Sequence, residues 1–431
     1  MSSSRRRVRR RAVARTGIAV ALLAMLGNGG VARAQQASEP QKDRETIQEL
    51  LKRVEQLEKQ VLELQAKKAA PAAPGAAPTE GANATPPAAR AATGETQQGG
   101  PSMEMAASEP GLKIRGFTDL TFHGGDQKGT TTSFSLGSLN LFMTSEVSEK
   151  FKFLSELVFE AGPDNAMGVD LERMLLVYSY NDHFNFQIGR YHTAIGYYST
   201  AYHHSSWLQT TVGRPFLFDF EDHGGILPIH NVGVSVSGRI PSGGVGLHYV
   251  AEVGNGRTSR TPLAEAVQNV VDENNGKAVN FAVFARPEAL RGFQTGFSIY
   301  HDKLAPAGLP NIGETILAAH AVYSNSSFEW LNEALVIRNA PQGSFPVFHT
   351  PGFYSQISKR FGAYRPYFRY EYINAPVNEP IFADVGLRRG PSTGLRFDAS
   401  DTVALKLQYD FLQQRGRPSA NMLTTQFAFT F

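Results

Sequence analysis

The chain ends on TTQFAFTF, residues 424–431, with Phe427, Phe429 and Phe431 on one side of an extended strand and Gln426, Ala428 and Thr430 on the other. A strict period of two predicts a β-strand with one apolar face. Three aromatics along one edge of the final strand need a cover, and the preceding three hundred residues indicate what it is. LKIRGFTDLTF (112–122) sets Leu112, Ile114, Gly116, Leu120 and Phe122 against Lys113, Arg115, Asp119 and Thr121. NVGVSVSGRI (231–240), VGLHYVAEV (245–253) and TVALKLQYDF (402–411) repeat the pattern, each with one apolar face and one that carries charge. After residue 111 a helical period holds only over TPLAEAVQNVVDE (261–273).

The connections between these segments alternate in length. SEK (148–150), NDH (181–183), PSG (241–243), SNS (324–326) and ASD (399–401) are tight, whereas 254–277, 303–313, 339–349 and 373–386 are long. Short turns at one end, long loops at the other and strands of ~10 residues are what a transmembrane antiparallel β-barrel requires. A soluble sandwich has no reason to segregate its loops. Strands are expected to start near 112, 134, 151, 169, 184, 231, 244, 278, 292, 314, 327, 352, 365, 392, 402 and 422, about sixteen in all. Fourteen and eighteen are the neighbouring counts, because 352–360 and 387–398 alternate poorly. In a closed barrel the last strand bonds to the first and the outward face meets lipid, so hydrocarbon covers the phenyl rings at 427–431. This terminal run resembles the assembly signal of outer-membrane barrels, which implies the barrel-insertion machinery as a partner.

The first 34 residues are of another kind. RRRVRRRAVAR (5–15), the apolar run GIAVALLAML (17–26) and Ala32-Arg33-Ala34 form a charged region, a hydrophobic region and a small-x-small cleavage site, an export signal. The apolar run is shorter than the ~20 residues a spanning helix needs, so cleavage near Gln35 is expected, with an uncleaved anchor as the alternative. Losing eight arginines takes the formal balance from +3 to −5, and with it goes the electrostatic case for nucleic acid. The absence of cysteine excludes a disulfide framework and a thiolate metal site. Within residues 41–66, Ile47, Leu50, Val54, Leu57, Val61 and Leu64 alternate spacings of three and four, a heptad seam. Arg53 at g and Glu58 at the next e suit a parallel coiled coil of two or three helices, with a lone amphipathic helix as the alternative. Residues 67–110, rich in Pro and Ala, read as a disordered tether. The domain reading is therefore signal 1–34, periplasmic coiled coil 41–66, linker 67–110 and barrel 111–431.

Between the fifth and sixth expected strands lies RYHTAIGYYSTAYHHSSWLQTTVGRPFLFDFEDHGGILPIH, residues 190–230, with no convincing membrane strand. Structureless segments of that length are usually functional. It resembles the loop after the fifth strand of general porins, and the resemblance implies that it folds into the barrel and narrows it. Candidate constriction residues are Arg190, His192, Tyr197, Tyr198, Trp207, Arg214, Asp219, Glu221, Asp222 and His223. On the facing lumen wall the candidates are Lys113, Arg115, Glu252, Arg369, Glu371 and Lys406. The run VDLERMLLVYSYNDHFNFQIGRYHTAIGYYS (169–199) is similar to the phosphate-selective porins O and P through its acidic strand, turn, strand and Gly189-Arg190…Gly196 element. The charges assigned to the lumen mix signs, with Glu156, Glu160 and Asp410 among the lysines and arginines, so the channel is carried over and the phosphate is not.

Five histidines fall between 192 and 230 beside Asp219, Glu221 and Asp222, but none of their spacings is a ligand motif, and no metal or cofactor is expected. Ser205 and Ser206 beside His203 and His204 are the nearest approach to a hydrolytic constellation and read better as polar loop residues, so no catalytic role is expected. The resulting expectation is a trimer-prone outer-membrane porin passing small hydrophilic solutes or ions by diffusion, with both termini in the periplasm. The alternative is a non-conducting barrel whose outer loops bind a ligand or partner.

Overall fold

The computed structural model describes residues 111–162, 166–202, 205–258, 271–382 and 384–431, with Asp222 described by its backbone alone. The expected signal, coiled coil and tether lie outside the described residues, as do His203, His204 and most of 261–273.

Sixteen strands follow in order. They are β1 Leu112–Gly125, β2 Ser133–Glu146, β3 Phe151–Ala161, β4 Met167–Asn181, β5 Phe184–His192, β6 His230–Ile240, β7 Leu247–Gly254 and β8 Ala278–Ala285. Then come β9 Phe293–Leu304, β10 Ile312–Ser324, β11 Phe328–Pro341, β12 Phe348–Lys359, β13 Tyr364–Asn374, β14 Leu387–Asp398, β15 Val403–Gln414 and β16 Ala420–Thr430. Each pairs antiparallel with its sequence neighbours, and β16 pairs with β1, so the sheet is a closed barrel. Both ends of the barrel sequence lie at the rim of short turns, and the longer loops lie at the opposite rim. The largest departure from the expected boundaries is β14, expected near 392 and starting at Leu387. Val245 sits in the turn Gly243–Val245 rather than in β7.

Alternation sorts the side chains. Phe297, Ile299, Leu317, Phe353, Ile357, Phe368, Leu407 and Phe427 point outward, each 41–55 % exposed. A closed sheet wrapped in exposed apolar side chains has hydrocarbon as its solvent, because only a closed barrel or a helix satisfies its own backbone there. Near the turn rim the outward face carries Tyr178, Tyr180, Phe184, Trp330 and Tyr364, the aromatic girdle of a membrane boundary. Lys303 and Arg338 face outward near the loop rim, where head groups begin.

Closure is made by the last residue. Gly116 N donates to Phe431 O (2.9 Å), and Phe431 N donates to Gly116 O (3.0 Å). The Phe431 ring lies where a Cβ on Gly116 would be, so the glycine vacates the lipid-facing surface for the aromatic that seals the seam.

The interior departs from expectation. Polar residues were expected along the lumen wall, yet β9–β12 turn Tyr300, Leu304, Ile312, Ile316, Val322, Leu331, Leu335, Ile337 and Tyr354 inward, all buried. The segment after β5 packs on them with Ile195, Tyr198, Phe216, Leu217, Phe218, Phe220, Ile226, Leu227 and Ile229, forming one apolar cluster. The β13–β14 loop, one of the long connections, adds Ala375, Ile381, Phe382 and Val385 to the same cluster. Burying a large apolar side chain contributes about 1.5–3 kcal/mol. Nine from the β5–β6 segment therefore contribute on the same scale as its hydrogen bonds to the walls, most of which have a charged partner and are worth about 1.5–3 kcal/mol each.

Gly116→Val forces a branched side chain into the Phe431 ring, an exposed side-chain end that can swing aside, and is expected to destabilise the barrel by about 1 kcal/mol. Gly111→Val meets nothing within 4 Å and serves as the control in a thermal unfolding series. Equal melting temperatures for the two variants would mean that the Phe431 ring does not pack over Gly116.

Candidate functional site

The segment between β5 and β6 crosses the lumen from one wall to the other. It leaves β5 at His192, whose Nδ1 lies 3.0 Å from Ser199 O and whose ring meets His230 edge-on at 4.9 Å. Ala194 N donates to Glu252 on β7 (3.0 Å), and the same carboxylate accepts from Asn280 on β8 (2.7 Å). Gly196 then turns the chain with φ 70°, a conformation glycine adopts without strain, and Glu333 of β11 occupies the space a Cβ would fill. That close approach lets Glu333 accept from Tyr197 N (2.5 Å), Tyr198 N (3.0 Å) and Tyr354 Oη (2.7 Å). A single helical turn, α1 Tyr198–Ala201, follows. Tyr202 Oη and Thr210 Oγ1 both donate to Glu329, two residue pairs further along β11 (3.0 and 3.2 Å).

The far wall takes hold of the next stretch by its carbonyls. Lys406 on β15 donates to Ser206 O (2.6 Å) and Thr211 O (2.9 Å). Arg396 on β14 donates to Trp207 O (2.7 Å) and Gln209 O (2.8 Å), and Arg369 on β13 to Thr211 Oγ1 (2.9 Å) and Gly213 O (3.1 Å). Ser206 Oγ donates to Asp119 on β1 (3.1 Å), and Trp207 packs 6.2 Å from Phe117. Phe216 N donates to Glu371 (2.6 Å), which also faces Arg369 Nε at 3.5 Å. The return leg is fixed by Arg214, which donates to Phe218 O (2.6 Å) and stacks on Phe220 (4.1 Å). It ends at Glu221, which accepts from His230 N (3.0 Å), while the His230 ring lies between Glu221 (3.1 Å) and Glu172 of β4 (2.8 Å).

The sequence-derived residues thus divide. His192 ends β5 where the crossing begins, and Tyr197, Tyr198, Trp207, Arg214 and Glu221 lie within the crossing segment, with Glu252, Arg369, Glu371 and Lys406 as its wall contacts. Arg190 closes β5 with a guanidinium nitrogen 3.7 Å from Glu172, and His223 faces Glu160 at 3.5 Å. Lys113 and Arg115 keep the inward parity of β1 but sit exposed at the turn rim, away from the crossing. The side chain of Asp222 lies outside the described residues. Ser205 Oγ accepts from Trp207 N (3.2 Å), and with Ser206 bonded to Asp119 both hydroxyls are engaged in loop geometry. Sequence reasoning missed Glu329, Glu333, Arg388 and Arg396. The legible signal for the first two was their parity: two acids on the stripe Glu329, Leu331, Glu333, Leu335 that is otherwise apolar.

Beside the crossing a cavity of about 300 Å³ opens between residues 212–219 and β13–β16, lined by Arg214, Asp219, Arg369, Glu371, Arg388 and Asp410 together with Phe216 and Leu217. Burial pushes the Asp219 carboxyl up to about 7, against the pull of Arg388, Arg214 and Arg369 and with repulsion from Glu371.

Glu333→Leu leaves the Tyr197 and Tyr198 amides and the Tyr354 hydroxyl without an acceptor. At about 1–3 kcal/mol for each buried orphan donor, the crossing segment is expected to loosen by several kcal/mol. Limited proteolysis of the detergent-solubilised protein checks this: cleavage within 195–225 rises at least tenfold over the wild type. An unchanged cleavage rate would mean that this carboxylate does not hold the segment.

Among solved structures the fold is similar to the anion-selective porin from Comamonas acidovorans, at 13% identity and TM-score 0.53 over 75% of this chain and 100% of that one. It is also similar to the outer membrane channel DcaP of Acinetobacter baumannii, at 10% identity and TM-score 0.51 over 76% and 99% of the two chains. A third likeness is to Salmonella typhi OmpF in complex with daunomycin, at 10% identity and TM-score 0.51 over 76% and 100%. No family model and no curated protein matches the chain. At such identities the likeness is one of architecture: the described chain has the fold of outer-membrane porins.

Proposed function

We propose that the protein is an outer-membrane porin, a water-filled channel through which small hydrophilic solutes and ions diffuse passively. The observation that carries this reading is the segment 193–229, which runs through the lumen of a closed sixteen-stranded barrel and is tied to opposite walls. A barrel of sixteen strands is wide enough to enclose an aqueous path. The apolar cluster against β9–β12 occupies one side of it, which leaves the polar side along β13–β16 and β1 for water and solute. Arg369, Lys406 and Arg396 spend their hydrogen bonds on loop carbonyls, so their first role is to set the width of the path and their second to bias which ions enter it. Glu252 and Glu371 act in the same way from the acidic side.

In this reading the turn rim faces the periplasm, where Lys113 and Arg115 line the inner mouth. The heptads at 41–66 supply a periplasmic coiled coil that joins three chains into a homotrimer, and the linker 67–110 separates it from the barrel. Residues 1–34 direct export. The Phe427, Phe429, Phe431 run is read by the insertion machinery before it becomes the seam.

Reconstituted in a planar bilayer, the purified protein is expected to open in discrete conductance steps, and deletion of residues 195–225 is expected to raise the step size severalfold. A folded, heat-modifiable oligomer that stays silent contradicts the channel. Steps of unchanged size after the deletion contradict the constriction.

A further inference from the structure

We propose that the lumen cavity beside the crossing segment binds a small zwitterion of the α-amino-acid class, its carboxylate on Arg388 and its ammonium on Asp219. The inference rests on the reading of the lumen as a solute path and names the class of solute that path selects.

Most of the polar groups around this cavity of about 300 Å³ are already engaged. Arg369 donates to Thr211 and Gly213 and faces Glu371; Glu371 accepts from Phe216 N; Asp410 accepts from Ser392 and from Gln408. Two groups differ. Arg388 holds its guanidinium 3.9 Å over the Phe216 ring, and among the described residues it has neither a hydrogen bond nor an ion pair. Asp219 likewise accepts no hydrogen bond through its carboxylate, and no ion pair joins it to Arg388. A cation and an anion that line one cavity without meeting are complementary to a ligand that carries both charges. A simple anion gains Arg388 but faces repulsion from Asp219, and a simple cation meets the reverse, so each one-charge ligand leaves a partly desolvated charge uncompensated.

The site is also built rather than incidental. Stacking on Phe216 orients the Arg388 fork, and Phe216 is itself fixed by the hydrogen bond its backbone N–H donates to Glu371. Leu217 and Phe411 give the remaining wall an apolar character, which suits a short aliphatic side chain. A volume of about 300 Å³ is at the small end of ligand cavities and excludes a large solute. Asp219, lifted to about 7 by burial, gains its charge across neutrality in the field of Arg388, Arg214, Arg369 and Glu371. An ammonium partner favours the charged form, so binding strengthens from pH 6 to pH 8 as the carboxyl loses its proton.

The test is calorimetric titration of the full-length, detergent-solubilised protein at pH 8 with L-norvaline and with its one-charge analogues pentanoate and butylamine. Norvaline is expected to bind at least tenfold more tightly than either analogue. Arg388→Gln and Asp219→Asn are each expected to weaken norvaline at least tenfold, and Asp219→Asn to bring pentanoate up to norvaline. Both side chains are partly exposed, and an unchanged heat-modifiable gel shift verifies that the variants fold. Equal binding of the three probes, indifference to both substitutions, or no binding up to about 10 mM overturns the assignment. Bilayer conductance is read separately: a conducting barrel that ignores norvaline sinks the ligand and leaves the channel, whereas a silent barrel that binds norvaline sinks the channel and leaves the ligand.

Discussion

Hydrocarbon offers no hydrogen bonds, and that single constraint organises the molecule. Every backbone N–H and C=O at membrane depth has to find a partner within the sheet, and a sheet has no free edge only when its last strand returns to its first. Here the return is made in register from Phe117 opposite Thr430 to Gly125 opposite Met422, and it is completed at Gly116 and Phe431. From closure follow the even strand number, the segregation of turns and loops to opposite rims, and the strict division of side chains into outward and inward sets. The aromatic that ends the chain and the glycine that makes room for it are two halves of one joint.

Closure also creates an interior that is not obliged to be either core or channel. The protein makes it partly both. Against β9–β12 the lumen is largely apolar and packed, much as a soluble domain would be, and the crossing segment is held there by apolar burial together with the carboxylates of Glu329 and Glu333. Against β13–β16 and β1 the same segment is held by cations and amides aimed at its carbonyls. Apolar burial and charge-assisted hydrogen bonds contribute on the same scale, and their roles differ in direction: burial is indifferent to orientation, whereas the hydrogen bonds fix where each carbonyl and each charge ends up. A path for solute can exist only on the second side, which is where the unpaired Arg388 and Asp219 are found.

Much of this was visible in the sequence, for a physical reason. Alternation is enforced wherever one face meets lipid and the other water, so β1, β6, β7, β15 and β16 announced themselves. β12 and β14 hid because Gly, Pro and Ser occupy their faces, although exposure in β12 alternates as regularly as anywhere. The packed half of the lumen hid for the opposite reason: β10 carries Ile316, Ala318 and Val322 inward and Leu317, Ala319 and Ala321 outward, so both faces are apolar and period two has no contrast to show. Parity put Lys113 and Arg115 on the inward face of β1 but gave no depth, and depth places them exposed at the rim. Contacts such as Glu333 with Tyr197 and Tyr198 join positions more than a hundred residues apart, and no local pattern encodes them.

The central claim is that the outward faces are wetted by acyl chains and the crossing segment is not. The chain's two tryptophans report on the two sides, Trp330 facing outward on β11 and Trp207 within the lumen. In vesicles of brominated phosphatidylcholine, fluorescence from a Trp207→Phe protein, which retains Trp330, is predicted to be strongly quenched, while that from a Trp330→Phe protein is predicted to be left nearly intact. Strong quenching of Trp207 by the brominated chains, or an indifferent Trp330, would contradict the account.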